Sequence, residues 1–140
     1  MAVNMNKMRW KYGDTNPVLA EPNPESEIEL GDIVYFDDYA YPASEGFYRG
    51  DFLGVALQRS AKGNTAKIRV GTTGVYEFDI AEDKYQLGTK VRPAIRDGVQ
   101  NQEVEDANHC AIGKVVTTTE GNSVNVCIYS EIMGAPNNVL

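Results

Sequence analysis

The sequence contains few side chains of the types that perform nucleophilic or metal chemistry. It has one histidine and two cysteines among 140 residues. His109 and Cys110 are adjacent, and neighbours on a strand point to opposite sides, whereas a Cys–His pair needs both groups within hydrogen-bond reach. Neither a CxxC nor an HxxxH spacing occurs, so no zinc site is expected. We expect no catalytic residue, no metal, no cofactor and no enzyme activity. A Cys110–Cys127 disulfide stays open as an alternative.

Three short motifs suggest chemistry at first sight. Paired carboxylates at residues 37–38 and 103–106 suit acid–base catalysis or calcium binding, but they lack EF-hand spacing. Residues 49–51 spell the integrin-binding tripeptide Arg-Gly-Asp, and residues 82–84 (Glu-Asp-Lys) resemble the lysine-bearing turn of lipoyl domains. Charged groups of this kind are mostly exposed in folded proteins. We therefore interpret all three motifs as solvated surface.

Charge is distributed unevenly along the chain. Thirteen basic and twenty acidic residues give a net charge of -7, which argues against direct nucleic-acid binding because that function needs a basic face. Residues 1–20 carry three basic residues and one acidic residue, whereas residues 21–51 carry nine acidic residues and one basic residue. No apolar run approaches the roughly 20 residues of a membrane span, and no signal peptide is recognisable. The sequence predicts a soluble protein without a membrane partner, made in the cytoplasm.

The N-terminal segment differs in pattern from the rest of the chain. Residues 1–29 contain several prolines, which bias their neighbours to extended conformations. The segment also carries apolar groups at Met5, Met8, Trp10 and Tyr12, which usually become covered by something. We predict an extended N-terminal arm over residues 1–29. Its apolar side chains either pack on the body or dock onto a partner.

Residues 30–140 show the pattern of an all-β domain. Short apolar or alternating runs are separated by turn residues, and no long amphipathic helix is visible. Pro93 implies an edge or a bulge, and in the run 65–70 we expect Ala66, Ile68 and Val70 to face the core. Strands are expected over 33–36, 52–57, 65–70, 75–80, 91–95, 112–118 and 123–129.

Internal similarity is the most informative feature of the body. Three segments recur in the same order: 30–34 matches 87–91, 53–57 matches 112–116, and 63–68 matches 121–126. Only two copies exist, so the chain is not a solenoid. We predict two pseudo-repeated strand–hairpin units, folded around a pseudo-twofold axis into one small β-barrel.

The chain resembles the capsid decoration (cement, head-stabilising) proteins of tailed bacteriophages. The resemblance covers roughly residues 9–129 and lies in the segments 9–17, 31–35, 52–57, 66–71, 87–91 and 112–115. It implies a β-barrel or β-tulip body that forms a homotrimer at the threefold and quasi-threefold axes of the capsid. It also implies an N-terminal arm that orders on the shell. The matching residues for such a capsid-binding arm are Arg9, Trp10, Lys11, Tyr12 and Pro17.

These features together predict a structural role on the outer surface of a virion. A decoration protein needs no catalytic group; it needs a rigid body and an adhesive segment that meets the major capsid protein. It would stabilise the shell against internal DNA pressure, and deletion of residues 1–20 should leave a folded body that no longer binds capsids. A small ligand- or carbohydrate-binding β-barrel module is the alternative. It would group exposed aromatic residues on one face, with candidates at Tyr35, Tyr39, Tyr41, Phe47 and Tyr48.

Overall fold

The computed structural model describes residues 8–81, 85–117 and 121–134, and within them the chain is predominantly β. The Glu-Asp-Lys motif at 82–84 and the apolar group of Met5 lie outside the described residues. No described helix has the length and hydropathy of a membrane span. The elements are β1 (Trp10–Tyr12), β2 (Pro17–Ala20), β3 (Ile33–Asp37), β4 (Tyr39–Pro42), α1 (Ala43–Gly46), β5 (Asp51–Ala56), β6 (Ile68–Gly71), β7 (Thr73–Asp79), β8 (Lys90–Ile95), β9 (Val99–Asp106), β10 (Gly113–Val115) and β11 (Ser123–Tyr129).

The strands form two sheets. A five-stranded sheet has the order β2-β6-β5-β3-β4, and a six-stranded sheet has the order β1-β7-β11-β10-β8-β9. A parallel pair between Asp79 and Glu103 joins β7 to β9, so the six-stranded sheet is a nearly closed ring. In the five-stranded sheet, an isolated parallel bridge between Pro22 and Ala40 links the chain after β2 to β4. Apart from β1, the strands of the first half of the chain form the five-stranded sheet and those of the second half form the six-stranded sheet. The prediction of an all-β fold is confirmed, with the strands arranged in two sheets.

The two sheets share one strand order. Strands β2 to β6 occur in the order 2-6-5-3-4, and strands β7 to β11 in the order 7-11-10-8-9, so each strand corresponds to the one five places later. The entry turns correspond as well. Gly31 donates its N–H to the carbonyl of Ala56 at 2.9 Å, and Gly88 donates to Val115 at 2.8 Å. Both glycines have positive φ, at 93° and 88°, which favours glycine at these turns.

Two further glycines lie where a strand presses against its neighbour's backbone. A Cβ atom at Gly54 would overlap the carbonyl oxygen of Gly71 on β6, and one at Gly113 would overlap that of Cys127 on β11. Glycine inside a strand typically marks such a close approach. Each glycine lets one hairpin pack tightly, at matching positions of the two repeats.

The core consists of two clusters that meet at the five-stranded sheet. Val34 and Ala56 belong to a smaller cluster inside that sheet, whereas Ile33 and Val55 belong to a larger cluster shared with the six-stranded sheet. All four are fully buried. Because successive side chains of a strand point to opposite faces, β3 and β5 are covered on both sides.

Most expected strands are present, and the differences have local causes. The register shift after Pro93 confirms the expected irregularity in β8. The run 65–70 was predicted too long, because β6 begins at Ile68 and Ala66 is exposed. There the Asn64 side chain accepts the Ala66 N–H at 3.0 Å and donates to its carbonyl at 3.1 Å. These local bonds satisfy the backbone without a strand partner.

The close approach of the hairpin backbones makes the paired glycines hard to replace. Gly54→Ala and Gly113→Ala should each lower the free energy of unfolding by about 2–4 kcal/mol, because the methyl group meets rigid backbone. Urea unfolding of each variant measures this loss. Gly63→Ala is the control, since its Cβ meets nothing within 4 Å and its φ of 96° costs only about 1 kcal/mol. A loss no larger than the control's at both positions would contradict this close packing.

Candidate functional site

Residues 8–20 run as one extended ribbon across both sheets, and we call them the N-terminal ribbon. β1 pairs with β7 of the six-stranded sheet, and β2 pairs with β6 of the five-stranded sheet, both antiparallel. Between them the chain is clamped at Thr72 and Thr73. The Thr72 N–H donates to the carbonyl of Thr15 at 2.7 Å, and the Thr73 hydroxyl donates to that of Asp14 at 2.8 Å. The ribbon, over residues 8–20, is thus extended and is bound to the body.

The first strand of the ribbon presents the aromatic and basic side chains that the sequence singled out. Trp10 and Tyr12 are 42% and 53% exposed. The Trp10 indole donates to the carbonyl of Gly13 at 2.8 Å, which holds the ring in place. The Lys11 ammonium lies 3.6 Å from a carboxylate oxygen of Glu77 and is still nearly half exposed. These three side chains are therefore accessible to a partner.

Pro17 begins β2 and lines an apolar groove beside the ribbon. One part of the groove, about 430 Å³, lies between Pro17, Thr72 and Met133. A second part, about 330 Å³, is lined by Leu19 and by Met133 again. Leu19 is 65% exposed. Exposed apolar side chains that line one concavity are typical of a docking surface.

Arg9 occupies a different environment from the one predicted for a capsid-binding residue. Its side chain is fully buried. The guanidinium donates to both carboxylate oxygens of Asp79 at 3.1 and 3.2 Å, and through Nε to the side-chain oxygen of Gln102 at 2.9 Å. Because no surface of Arg9 is accessible, it anchors the ribbon and is not a contact residue for a partner.

The interior network continues from Gln102 to the entry of β3. The Gln102 amide donates to the Asp32 carboxylate at 2.8 Å, and that carboxylate also accepts the N–H of Glu29 at 2.9 Å. Burial raises the pKa of Asp32 to about 6, although the bonds from Gln102 and Glu29 oppose the shift. The repeat contains a related cap, since Thr89 accepts the N–H of Gln86 through its hydroxyl at 3.2 Å.

The cysteines and the histidine are not brought together into a nucleophilic site. His109 and Cys110 lie exposed in the connection between β9 and β10, not on a strand as the sequence argument assumed. Cys127 lies on β11, and both thiols are free, so the alternative disulfide is absent from the structure. Within residues 8–81, 85–117 and 121–134, no cluster of three or more His, Cys, Asp or Glu side chains has a metal-binding arrangement.

The charged motifs take part in surface ion pairs. Glu105 lies 3.1 Å from Arg92, and the Arg49 guanidinium of the Arg-Gly-Asp sequence stacks 4.4 Å from the centre of the Tyr41 ring. Arg49 also lies 4.0 Å from Asp37. Surface pairs of this kind contribute little energy individually, so these contacts give the motifs a local structural role.

The aromatic residues proposed for a carbohydrate-binding face do not form an exposed group. Tyr35 and Tyr41 are buried. Phe47 packs edge-on against Tyr35, with ring centres 5.5 Å apart. Tyr48 is 78% exposed and Tyr39 is at 36%. Most of the cluster therefore belongs to the packing around α1.

The comparisons with known proteins provide no family assignment. No protein-family model matches the chain, and no curated protein sequence matches it significantly.

The buried Arg9 network should dominate the stability of the ribbon. Arg9→Ala leaves Asp79 and Gln102 without their donors, and we expect a loss of about 3–5 kcal/mol in the free energy of unfolding, or a failure to fold. Lys11→Ala is the matched control, since an exposed ion pair contributes about 1 kcal/mol or less. Chemical denaturation compares the variants. Equal stability of the two variants would contradict the anchoring role of Arg9.

Asp32 should produce a specific pH dependence. Because its folded-state pKa of about 6 exceeds the usual 3.8, the folded state binds the extra proton between these values. Its contribution to stability therefore falls as pH rises through that window. Asp32→Thr removes the charge and keeps a hydroxyl acceptor. Relative to this variant, the native protein should lose about 2 kcal/mol between pH 4 and pH 7. Urea unfolding at several pH values measures the difference, and parallel stability curves would refute it.

Proposed function

We propose that the chain is a capsid decoration protein of a tailed bacteriophage, which binds the outer surface of the head and stabilises the shell. The observation that carries this proposal is the set of exposed aromatic and basic side chains of β1, Trp10, Lys11 and Tyr12, beside an apolar groove on an anchored ribbon. The sequence resemblance to decoration proteins points to the same role. Aromatic anchors of this kind supply much of the binding energy in protein interfaces.

The proposed body is one small β-barrel or β-tulip that is built from two pseudo-repeated strand–hairpin units. The common strand order of the two sheets and the matching bonds of Gly31 and Gly88 support this description. Each unit corresponds to one sheet, and the N-terminal ribbon crosses both. Such a body is rigid because its strands pair at both edges of most elements, and rigidity is what a shell-stabilising clamp requires.

The proposed partner is the major capsid protein, which the ribbon would contact through Trp10, Lys11, Tyr12 and Pro17. Lys11 offers a charge for an acidic partner group, and the groove beside Pro17 accepts apolar side chains. We propose a homotrimer at threefold and quasi-threefold axes, as the resemblance implies. Several copies of one weak contact on a common shell then add through avidity. The role requires no cofactor.

The structure changes the experiment that tests this role. A deletion of residues 1–20 would remove the buried Arg9 and the buried Ala20 of β2, so loss of binding could simply reflect unfolding. Substitution of exposed side chains avoids this problem, because it leaves the buried anchors in place.

The double variant Trp10→Ala/Tyr12→Ala should bind shells at least about tenfold more weakly, since each aromatic anchor is worth more than about 1 kcal/mol. Co-sedimentation with mature shells of the source phage that lack the protein measures this affinity. Tyr48→Ala is the control, because Tyr48 is an exposed aromatic residue away from the ribbon. Circular dichroism verifies that both variants fold. Full affinity in the double variant would remove the ribbon from the contact, and no binding by the native protein would remove the capsid role.

A further inference from the structure

The two repeated units differ in what covers one particular face. In the five-stranded sheet, Ile33 of β3 lies opposite Val55 of β5, and both side chains are fully buried against residues of the six-stranded sheet, including Tyr76. The face of the first unit that carries Ile33 and Val55 is thus buried in the contact with the second unit. The positions equivalent to Ile33 and Val55 in the second unit are Lys90 and Lys114, which pair in the same register between β8 and β10.

The equivalent face of the second unit is exposed and basic. Lys90 and Lys114 are both exposed, and directly opposite residues of an antiparallel pair point to the same face, about 5 Å apart. Neither has an ion-pair partner within the described ranges. Like charges placed directly opposite each other are destabilising. An acidic partner would remove this repulsion.

A shallow depression between the lysines gives this face a shape as well as a charge. Its volume is about 200 Å³, and it is lined by Lys90, Lys114, Ile112 and Tyr129, among others. Tyr129 is 47% exposed. The depression rests on three paired strands, β8, β10 and β11, so the two ammonium groups are carried by a rigid support.

The chain itself supplies a complementary acidic surface. Residues 21–51 carry nine of the twenty acidic residues. Asp38, in the turn between β3 and β4, and Asp51, at the start of β5, are both exposed, and neither forms an ion pair within the described residues. Asp51 lies opposite Phe36 in the sheet, and Phe36 precedes Asp38 by two residues. Asp38 and Asp51 therefore lie at the same end of the five-stranded sheet.

We propose that a second copy of this chain docks its acidic end, at Asp38 and Asp51, on the Lys90–Lys114 face of the six-stranded sheet. Each copy carries a net charge of -7, so the contact depends on local complementarity between the two lysines of one copy and the two carboxylates of the other. The contact is head-to-tail, because one copy uses its lysine face and the other its acidic end. Repeated head-to-tail contacts close into a ring when the rotation between copies completes a circle, and otherwise extend into a filament. The inference rests on the two-unit organisation and the self-association in the proposed function, and it does not depend on capsid binding.

Sedimentation velocity of the full chain tests the contact. The native protein should self-associate in about 0.05 M salt. At about 0.5 M salt, where charges are screened within a few ångströms, the affinity between copies should be at least about tenfold weaker. Lys90→Glu/Lys114→Glu and Asp38→Lys/Asp51→Lys should each be monomeric. An equimolar mixture of the two variants should associate again, because the reversed charges are complementary. Lys114→Glu alone is compared with Lys62→Glu, an exposed lysine in a turn of the other sheet.

Three results would each overturn the proposed contact between copies. They are a native protein that is monomeric in low salt, an association that Lys114→Glu does not weaken more than Lys62→Glu, and a mixture that stays monomeric. Capsid co-sedimentation of the same lysine variants separates the two proposals. Monomeric lysine variants that still bind shells would support both the contact and decoration, as independent properties, whereas a native protein that self-associates but binds no shell would retain the contact and overturn decoration.

Discussion

The structure depends on one interaction, the bidentate ion pair between the buried Arg9 and the half-buried Asp79. A buried charge is costly unless it is paired and its remaining donors are satisfied. Here the guanidinium also donates to the side-chain oxygen of Gln102, and the Gln102 amide donates to the carboxylate of Asp32. The network joins the ribbon, the six-stranded sheet and the entry of β3. It therefore holds together three parts of the chain that are far apart in sequence.

The second constraint is the continuous stretch from β6 to β7, with only Thr72 between them. Its β6 part belongs to the five-stranded sheet and pairs with β2, and its β7 part belongs to the six-stranded sheet and pairs with β1. The N-terminal ribbon therefore lies antiparallel beside this stretch in both sheets. Where the two strands meet, residues 14–16 of the ribbon bond to Thr72 and Thr73. The sheets are thus connected by two aligned strands and not by a single flexible linker. This arrangement fixes the exposed face of β1 relative to the groove beside β2.

The sequence allowed most core strands to be predicted, because glycine turns and alternating apolar residues are local signals. It did not predict β9, because the sequence Val-Gln-Asn-Gln-Glu-Val-Glu-Asp is mostly polar and has the composition of a loop. In the structure its alternate residues Gln102 and Val104 are buried, and the amide is satisfied by Arg9 and Asp32. The sequence likewise predicts Arg9 as a contact for a partner, because it does not show which residues surround the side chain. Its partners lie 70 and 93 residues away, and only the fold brings them together.

The burial of Arg9 also changes how a contact through the ribbon would gain its affinity. A free arm that orders on binding loses backbone entropy of about 1–2 kcal/mol per residue, which reduces the net binding energy. In this chain the ordering of residues 8–20 is already complete, because it occurs during folding and is stabilised by the interior. Alternation along β1 then separates the roles, since Arg9 points inward while Trp10 lies outside. A partner that covers Trp10 and Tyr12 meets a surface already held in place, so most of the energy of contact is available for binding.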